Sequence, residues 1–161
     1  MVSLPLRHQQ VNHAHCFCSI NITISVFLGL DSSFTLLPEE LSSAGYVSHI
    51  VGKWHLGICN HHYWPESRGF QSHFGFLLGG EGYFDHARDG GFDWRDGDRV
   101  AWETNQTYST TLIQERATQI ISDHDPSNPL FLYVPFQAVH GPLEVNKHTT
   151  SYNTITCFKG S

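Results

Sequence analysis

Two short runs, the largely apolar 46–51 and the continuously apolar 130–134, constrain this chain more than any other feature. Both are rich in β-branched or aromatic side chains and put apolar groups on both faces, which predicts strands buried inside a sheet. A helix signal precedes each. Before the first, Pro38 suits a first helical position, and Glu39 and Glu40 complement the positive end of a helix dipole. Leu37, Leu41 and Ala44 keep helical spacing, and Gly45 is a natural stop. Before the second, Leu112, Ile113, Ala117, Ile120 and Ile121 form one apolar stripe with Gln114, Glu115 and Gln119 opposite, ending near Asp125 and Pro126. Helix, strand, long loop, helix, strand is the order of an α/β domain: a mostly parallel sheet flanked by helices.

In such sheets ligands bind beyond the carboxyl ends of the strands. The first predicted strand runs straight into Gly52, Lys53, Trp54, His55, Leu56 and Gly57, and the second leads through Pro135 and Gln137 to His140. Lys53 and His55 are two apart on a turn, so their side chains can share one pocket. An ammonium neutralises an anionic substrate, and an imidazole moves protons near neutral pH. His140 is a second proton carrier. Taken singly, a histidine after a strand is more often a hydrogen-bonded loop residue. The coincidence of both polar clusters with predicted strand ends is what favours a site.

Composition excludes little beyond the gross alternatives. With 15 acidic and 9 basic residues in 161 and no basic run, the net charge of −6 gives nucleic-acid binding little support. The apolar stretch 20–30 is interrupted by Asn21, Thr23 and Ser25 and falls short of the ~20 residues of a membrane span. His13, His15, Cys16 and Cys18 form a compact tract, but spacings of one residue fit a structural zinc site poorly. Four cysteines are too few and scattered for a disulfide scaffold. Asn21 and Asn105 head N-x-[ST] sequons, which matter if the chain enters the secretory route. Phe70, Phe74, Phe76, Tyr83, Phe84, Phe92, Trp94 and Trp102 crowd a glycine-rich stretch that reads as long loops with room for one hairpin. These aromatics either pack on the sheet or stack on sugar rings, and packing is the plainer reading.

The strings Gly45-Tyr46, Val51-Gly-Lys-Trp-His-Leu-Gly57, Arg68-Gly-Phe-Gln-Ser-His-Phe-Gly75 and Gln137-Ala-Val-His-Gly-Pro-Leu143 resemble the sulfatase family. The nearest likeness is to the arylsulfatase B (N-acetylgalactosamine-4-sulfatase) group. The resemblance implies a partial alkaline-phosphatase-like fold and hydrolysis of sulfuric esters, on sulfated glycosaminoglycans or aryl sulfates. It also implies Ca²⁺ as cofactor and a lysosomal or secreted location. Carried over by motif, Lys53 binds the sulfate oxygens. His55 contacts the gem-diol of the family's nucleophile and helps expel sulfate. His140 contacts the sulfate and helps protonate the leaving alcohol.

The departures matter as much. The family oxidises the cysteine or serine of C-x-[PSA]-x-R to formylglycine, and no cysteine here stands in that pattern. The paired aspartates and the later Asp-Asn pair that hold the family's Ca²⁺ are absent, as is the second lysine beyond them. The stretches 58–64 and 81–99 depart from the arylsulfatase B group, which puts that group's disulfides in doubt. The expectation is therefore an internal sulfatase-domain fragment over 36–145, inactive by itself. Residues 1–35 are expected to be a non-matching, disordered segment, and 146–161 a non-matching tail. A non-catalytic, sugar-binding remnant is the alternative.

Overall fold

The structure, a computed structural model, describes residues 29–146. The His/Cys tract, the sequon at Asn21 and the polar tail lie outside the described residues.

Helix α1 spans Leu37–Ser43, with Pro38 in its first turn and the Glu39 carboxylate accepting the Leu36 N–H at 2.5 Å. Strand β1 follows at Val47–Lys53. It runs two residues further than the apolar run predicts, because its parallel ladder with β2 (Ser72–Phe76) continues to the pairs Gly52–Gly75 and Lys53–Phe76. Tertiary pairing, not local preference, thus puts the start of the polar turn into the sheet. Next come two short hairpins, β3 (Ala87–Arg88) with β4 (Gly91–Phe92), and β5 (Arg95–Asp96) with β6 (Arg99–Val100). Helix α2 spans Ser109–Asp123, and β7 spans Leu130–Tyr133.

The sheet order is β6-β5-β2-β1-β7, with β2, β1 and β7 parallel, β5 antiparallel to β2, and β6 antiparallel to β5. This is a mixed, five-stranded sheet with a parallel centre, flanked by helices. The second hairpin exceeds the sequence expectation, because two-residue strands are too short to leave a period of 2.

Each face carries its own core. On one, Val51, Phe74, Phe76, Trp94, Ala101 and Ile113 are buried, with Leu112 and Ile120 of α2 packed against them. On the other lie Ile50, Trp54, Trp64, Phe70 and Leu77. Burying each large side chain is worth about 1.5–3 kcal/mol, so these two clusters carry the fold. Two expectations are corrected. Ile121 is 61% exposed, so the α2 stripe is narrower than its spacing suggested. Strand β7 is only half-buried because, among the described residues, it pairs on one side alone. Of the aromatics in the glycine-rich stretch, Phe70, Phe74, Phe76, Tyr83 and Trp94 are buried, as the packing reading requires.

Arg68, in one of the quoted strings, is a structural residue. Its buried guanidinium bonds the Glu39 carboxylate (3.0 Å) and the carbonyls of Leu30 (3.1 Å) and Phe34 (2.6 Å). A buried charge is tolerated only when paired and hydrogen-bonded, and this one ties α1 to the segment before it.

Candidate active site

The polar turn after β1 is set by its middle residue. Trp54 is buried, packs edge-on against Phe70 (6.1 Å between ring centres) and donates its indole N–H to the Tyr63 carbonyl at 2.8 Å. The sheet register continues through the turn, with the N–H groups of Trp54 and His55 donating to the carbonyls of Phe76 (2.9 Å) and Leu77 (3.1 Å). With Trp54 anchored in the core, Lys53 on one side is half-buried and His55 on the other is exposed. His55 has φ of 61°, a left-handed conformation uncommon outside glycine, which marks the turn as constrained. Gly52 is required where the chain leaving β7 comes close: a Cβ there would strike the Pro135 carbonyl, which accepts the Lys53 N–H at 3.0 Å.

The chain leaving β2 supplies the floor. The Asp93 carboxylate accepts the N–H groups of Leu77 (3.2 Å) and Leu78 (2.8 Å), fixing the backbone that opens into Gly79 and Gly80. A Cβ on Gly79 would lie 2.7 Å from Cε1 and Nε2 of His55, and one on Gly80 would lie 3.0 Å from Nδ1 of His140. Two consecutive glycines therefore seat the two imidazoles. Lys53, the last residue of β1, and His140 both lie within electrostatic reach of His55.

His140 is held by its surroundings. Its N–H donates to the Gln137 carbonyl (2.8 Å), and its own carbonyl accepts the Tyr83 hydroxyl (2.9 Å). Gln137 is buried and clamps Glu81 in both directions, accepting the Glu81 N–H (2.9 Å) and donating to the Glu81 carbonyl (2.6 Å). The His140 Nδ1 lies 2.7 Å from the Gly141 carbonyl, which can only accept. So in the neutral ring Nδ1 donates to that carbonyl, and Nε2 carries the free lone pair.

Partial burial lowers the pKa of His55, and the positive charges of Lys53, His140 and Arg88 lower it further. All three groups thus lie within electrostatic reach of His55. Arg88 escaped the sequence reading because it sits in a two-residue strand. Gly79, Gly80, Tyr83 and Gln137 escaped it too. Only the glycine pair directly after an apolar run offered a signal. A separate cleft of about 460 Å³ at the amino ends of β1 and β7, lined in part by His49, Arg116 and His124, shares no residue with this site.

The described residues do not fit a calcium site. Among them no three His, Cys, Asp or Glu side chains come together as ligands. Asp93 spends both oxygens on backbone N–H groups, and Glu81 is buried against His86 Nδ1 at 2.9 Å. His86 Nε2 faces the Thr104 carbonyl at 3.2 Å and so holds that ring's proton. Burial first, then the charges of Asp93 and Asp85, push the Glu81 pKa up to about 10. Glu81 is therefore a neutral acid donating to His86, the wrong state for a metal ligand. Among the described residues no helix is long and apolar enough to cross a membrane. Cys59 is disulfide-bonded, and the other three cysteines lie outside the described residues.

Fold and site together define an α/β protein with a lysine and two histidines near the carboxyl ends of its parallel strands. The sulfatase family model matches residues 9–157. Mouse arylsulfatase J is 45% identical over 126 residues, which cover 74% of this chain and 21% of that protein. Human N-acetylgalactosamine-6-sulfatase is 34% identical over 129 residues (74% and 24%), and the arylsulfatase of Klebsiella aerogenes 32% over 124 (73% and 26%). The crystal structure of Ps i-CgsB in complex with k-i-k-neocarrahexaose superposes with a TM-score of 0.72 at 23% identity, over 82% of this chain and 32% of that one, a likeness of fold. The chain belongs to the sulfatase family, and its curated relatives are sulfuric ester hydrolases by name. It spans about a quarter of their length.

Proposed function

We propose that the patch formed by Lys53, His55 and His140 binds the sulfate group of a sulfate ester, and that this chain alone binds such esters without hydrolysing them. The observation that carries the reading is the seating of both imidazoles on Gly79 and Gly80 at the strand end where Lys53 emerges. Cleaving a sulfate ester needs charge stabilisation on the equatorial oxygens, an in-line nucleophile and a proton for the leaving oxygen. Lys53 supplies the first. His140 supplies the third, and His55 assists the release of sulfate. The second is not among the described residues: no cysteine of the sequence stands in C-x-[PSA]-x-R, and the serine that fits the spacing, Ser3 of Ser3-Leu4-Pro5-Leu6-Arg7, lies outside them. Full-length protein of this kind would hydrolyse sulfated glycosaminoglycans or aryl sulfates in the manner of the arylsulfatase B group, in a lysosomal or secreted setting.

The test is an assay of the purified chain on an aryl sulfate with added Ca²⁺, alongside the double variant Lys53→Ala/His140→Ala. The expected result is saturable binding of the ester by the parent, none by the variant, and turnover by neither. Turnover by the parent above that control would sink the claim of inactivity. Equal binding by parent and variant would sink the site. Binding of the unsulfated sugar as strongly as the sulfated one would favour a plain sugar-binding remnant instead.

A further inference from the structure

We propose that the open edge of β7 receives residues 20–26 of this same chain as a further strand, parallel to β7. This is independent of the sulfate-site reading. The backbone defines the edge. The Val47 N–H donates to the Pro129 carbonyl at 2.9 Å and the Lys53 N–H to the Pro135 carbonyl at 3.0 Å, so the odd-numbered residues of this segment turn toward β1. Alternate residues of a parallel strand face opposite neighbours. Leu130, Leu132 and Val134 therefore turn their N–H and C=O groups outward, where no described strand pairs with them. Tyr133, beside them, is 46% exposed. An unpaired edge with apolar flanks is a template for another strand.

The winding of the sheet says which strand belongs there. The connection from β1 to β2 passes over the face that holds Trp64, with Leu56 and Ile58 in that cluster, and steps away from β7. The return from β2 to β7 carries α2 over the opposite face, where Ile113 is buried and Leu112 and Ile120 pack. The two crossovers thus have one hand, as parallel connections in one sheet do. Helix α1 lies on the Trp64 face, with Leu36 at its head packed into that cluster, and leads into β1. A parallel strand ahead of α1 that keeps this hand must start on the β7 side of β1. The adjacent place is taken by β7 itself, so the strand falls at β7's outer edge.

The chain ahead of α1 holds a segment of the right kind. Ile20, Ile22, Ile24 and Val26 alternate with Asn21, Thr23 and Ser25, the period of a strand with one apolar face. In the proposed place the apolar set covers the exposed side of Phe131 and Tyr133, and the small polar set faces water. The reach is sufficient. Leu30 is held by its N–H bond to the Leu56 carbonyl at 2.8 Å, just beyond the end of β1. The outer edge of β7 is two strand spacings from β1, roughly 10 Å, and the chain from 26 to 30 extends to roughly 13 Å.

The experiment is NMR of the full chain. Backbone NOEs are expected to join residues 20–26 to 130–134 in a parallel pattern, with slow exchange of the Leu132 and Val134 amides. Ile22→Asp/Ile24→Asp speeds those two amides by roughly tenfold or more, while the Ile50 and Val51 amides of β1 stay protected. Asn21→Asp/Thr23→Asp, on the polar face, leaves them slow. A parent with protected β1 amides but no NOE between 20–26 and 130–134 would overturn the proposal, whatever the variants do. Edge protection that rises with protein concentration would also overturn it, because the partner is then a second copy. So would edge protection lost on deleting residues 147–161 with the β1 amides still protected, because the partner is then the tail.

Discussion

Replacing Gly79 with alanine tests the site at its seat and not at its charges. The new methyl carbon would stand 2.7 Å from Cε1 and Nε2 of His55. Non-bonded carbons settle at about 3.5–4.0 Å, so the imidazole must retreat by roughly 1 Å. The obstacle is the end of an exposed, rotatable side chain, so the ring moves and the fold survives. The backbone at Gly79 is not left-handed, so alanine fits it and restricts the unfolded chain, a gain of about 0.4–1 kcal/mol. Stability should stay level or rise. A displaced His55 loses its hydrogen bond to a bound anion, worth about 1.5–3 kcal/mol when one partner is charged. That is a roughly ten- to hundred-fold loss of sulfate affinity. Sulfate is titrated against the histidine ring signals by NMR, with urea unfolding as the control. The pH profile sharpens the test. In the free chain, burial and the neighbouring cations hold the His55 pKa below its usual value. A bound dianion favours the imidazolium, so parent affinity rises as pH falls through the bound-state pKa, and Gly79→Ala flattens that rise. A variant with parental stability, parental affinity and the parental pH profile would refute the role of His55 in an anion site.

Gln137→Leu leaves the buried N–H and carbonyl of Glu81 without partners, at about 1–3 kcal/mol each. It is expected to lower the urea midpoint accordingly and to broaden the His140 ring signals, and an unchanged midpoint would show that the clamp is not needed. Glu81→Gln keeps a donor toward His86 but cannot ionise. The parent binds a proton at Glu81 up to about pH 10, whereas the unfolded chain loses it near 4.5, so parent stability falls as pH rises across that window. The variant should gain on the parent by up to about 1.4 kcal/mol per pH unit between about pH 5 and pH 8, and an equal difference at both ends would contradict a protonated Glu81.

The sequence by itself determined the centre of the sheet and the position of the chemistry along the chain. Residues 46–51 and 130–134 are apolar on both faces, and only flanked parallel strands satisfy such runs, so β1 and β7 and the helices before them were legible. From that order it followed that Lys53, His55 and His140 would gather at one end. Tertiary structure alone decided how they are held there. Nothing local says that Gly79 and Gly80 seat two rings from different loops, or that Gln137 grips Glu81 across 56 residues of sequence. Those contacts depend on backbone closeness between strands far apart in the chain. The same holds for the short hairpins, where two residues fix neither a period nor a face. It holds for Glu81, whose charge state is set by burial against His86 and by Asp93 and Asp85. A carboxyl reads as an anion in a sequence, and only the loss of water around it in the folded core makes it an acid.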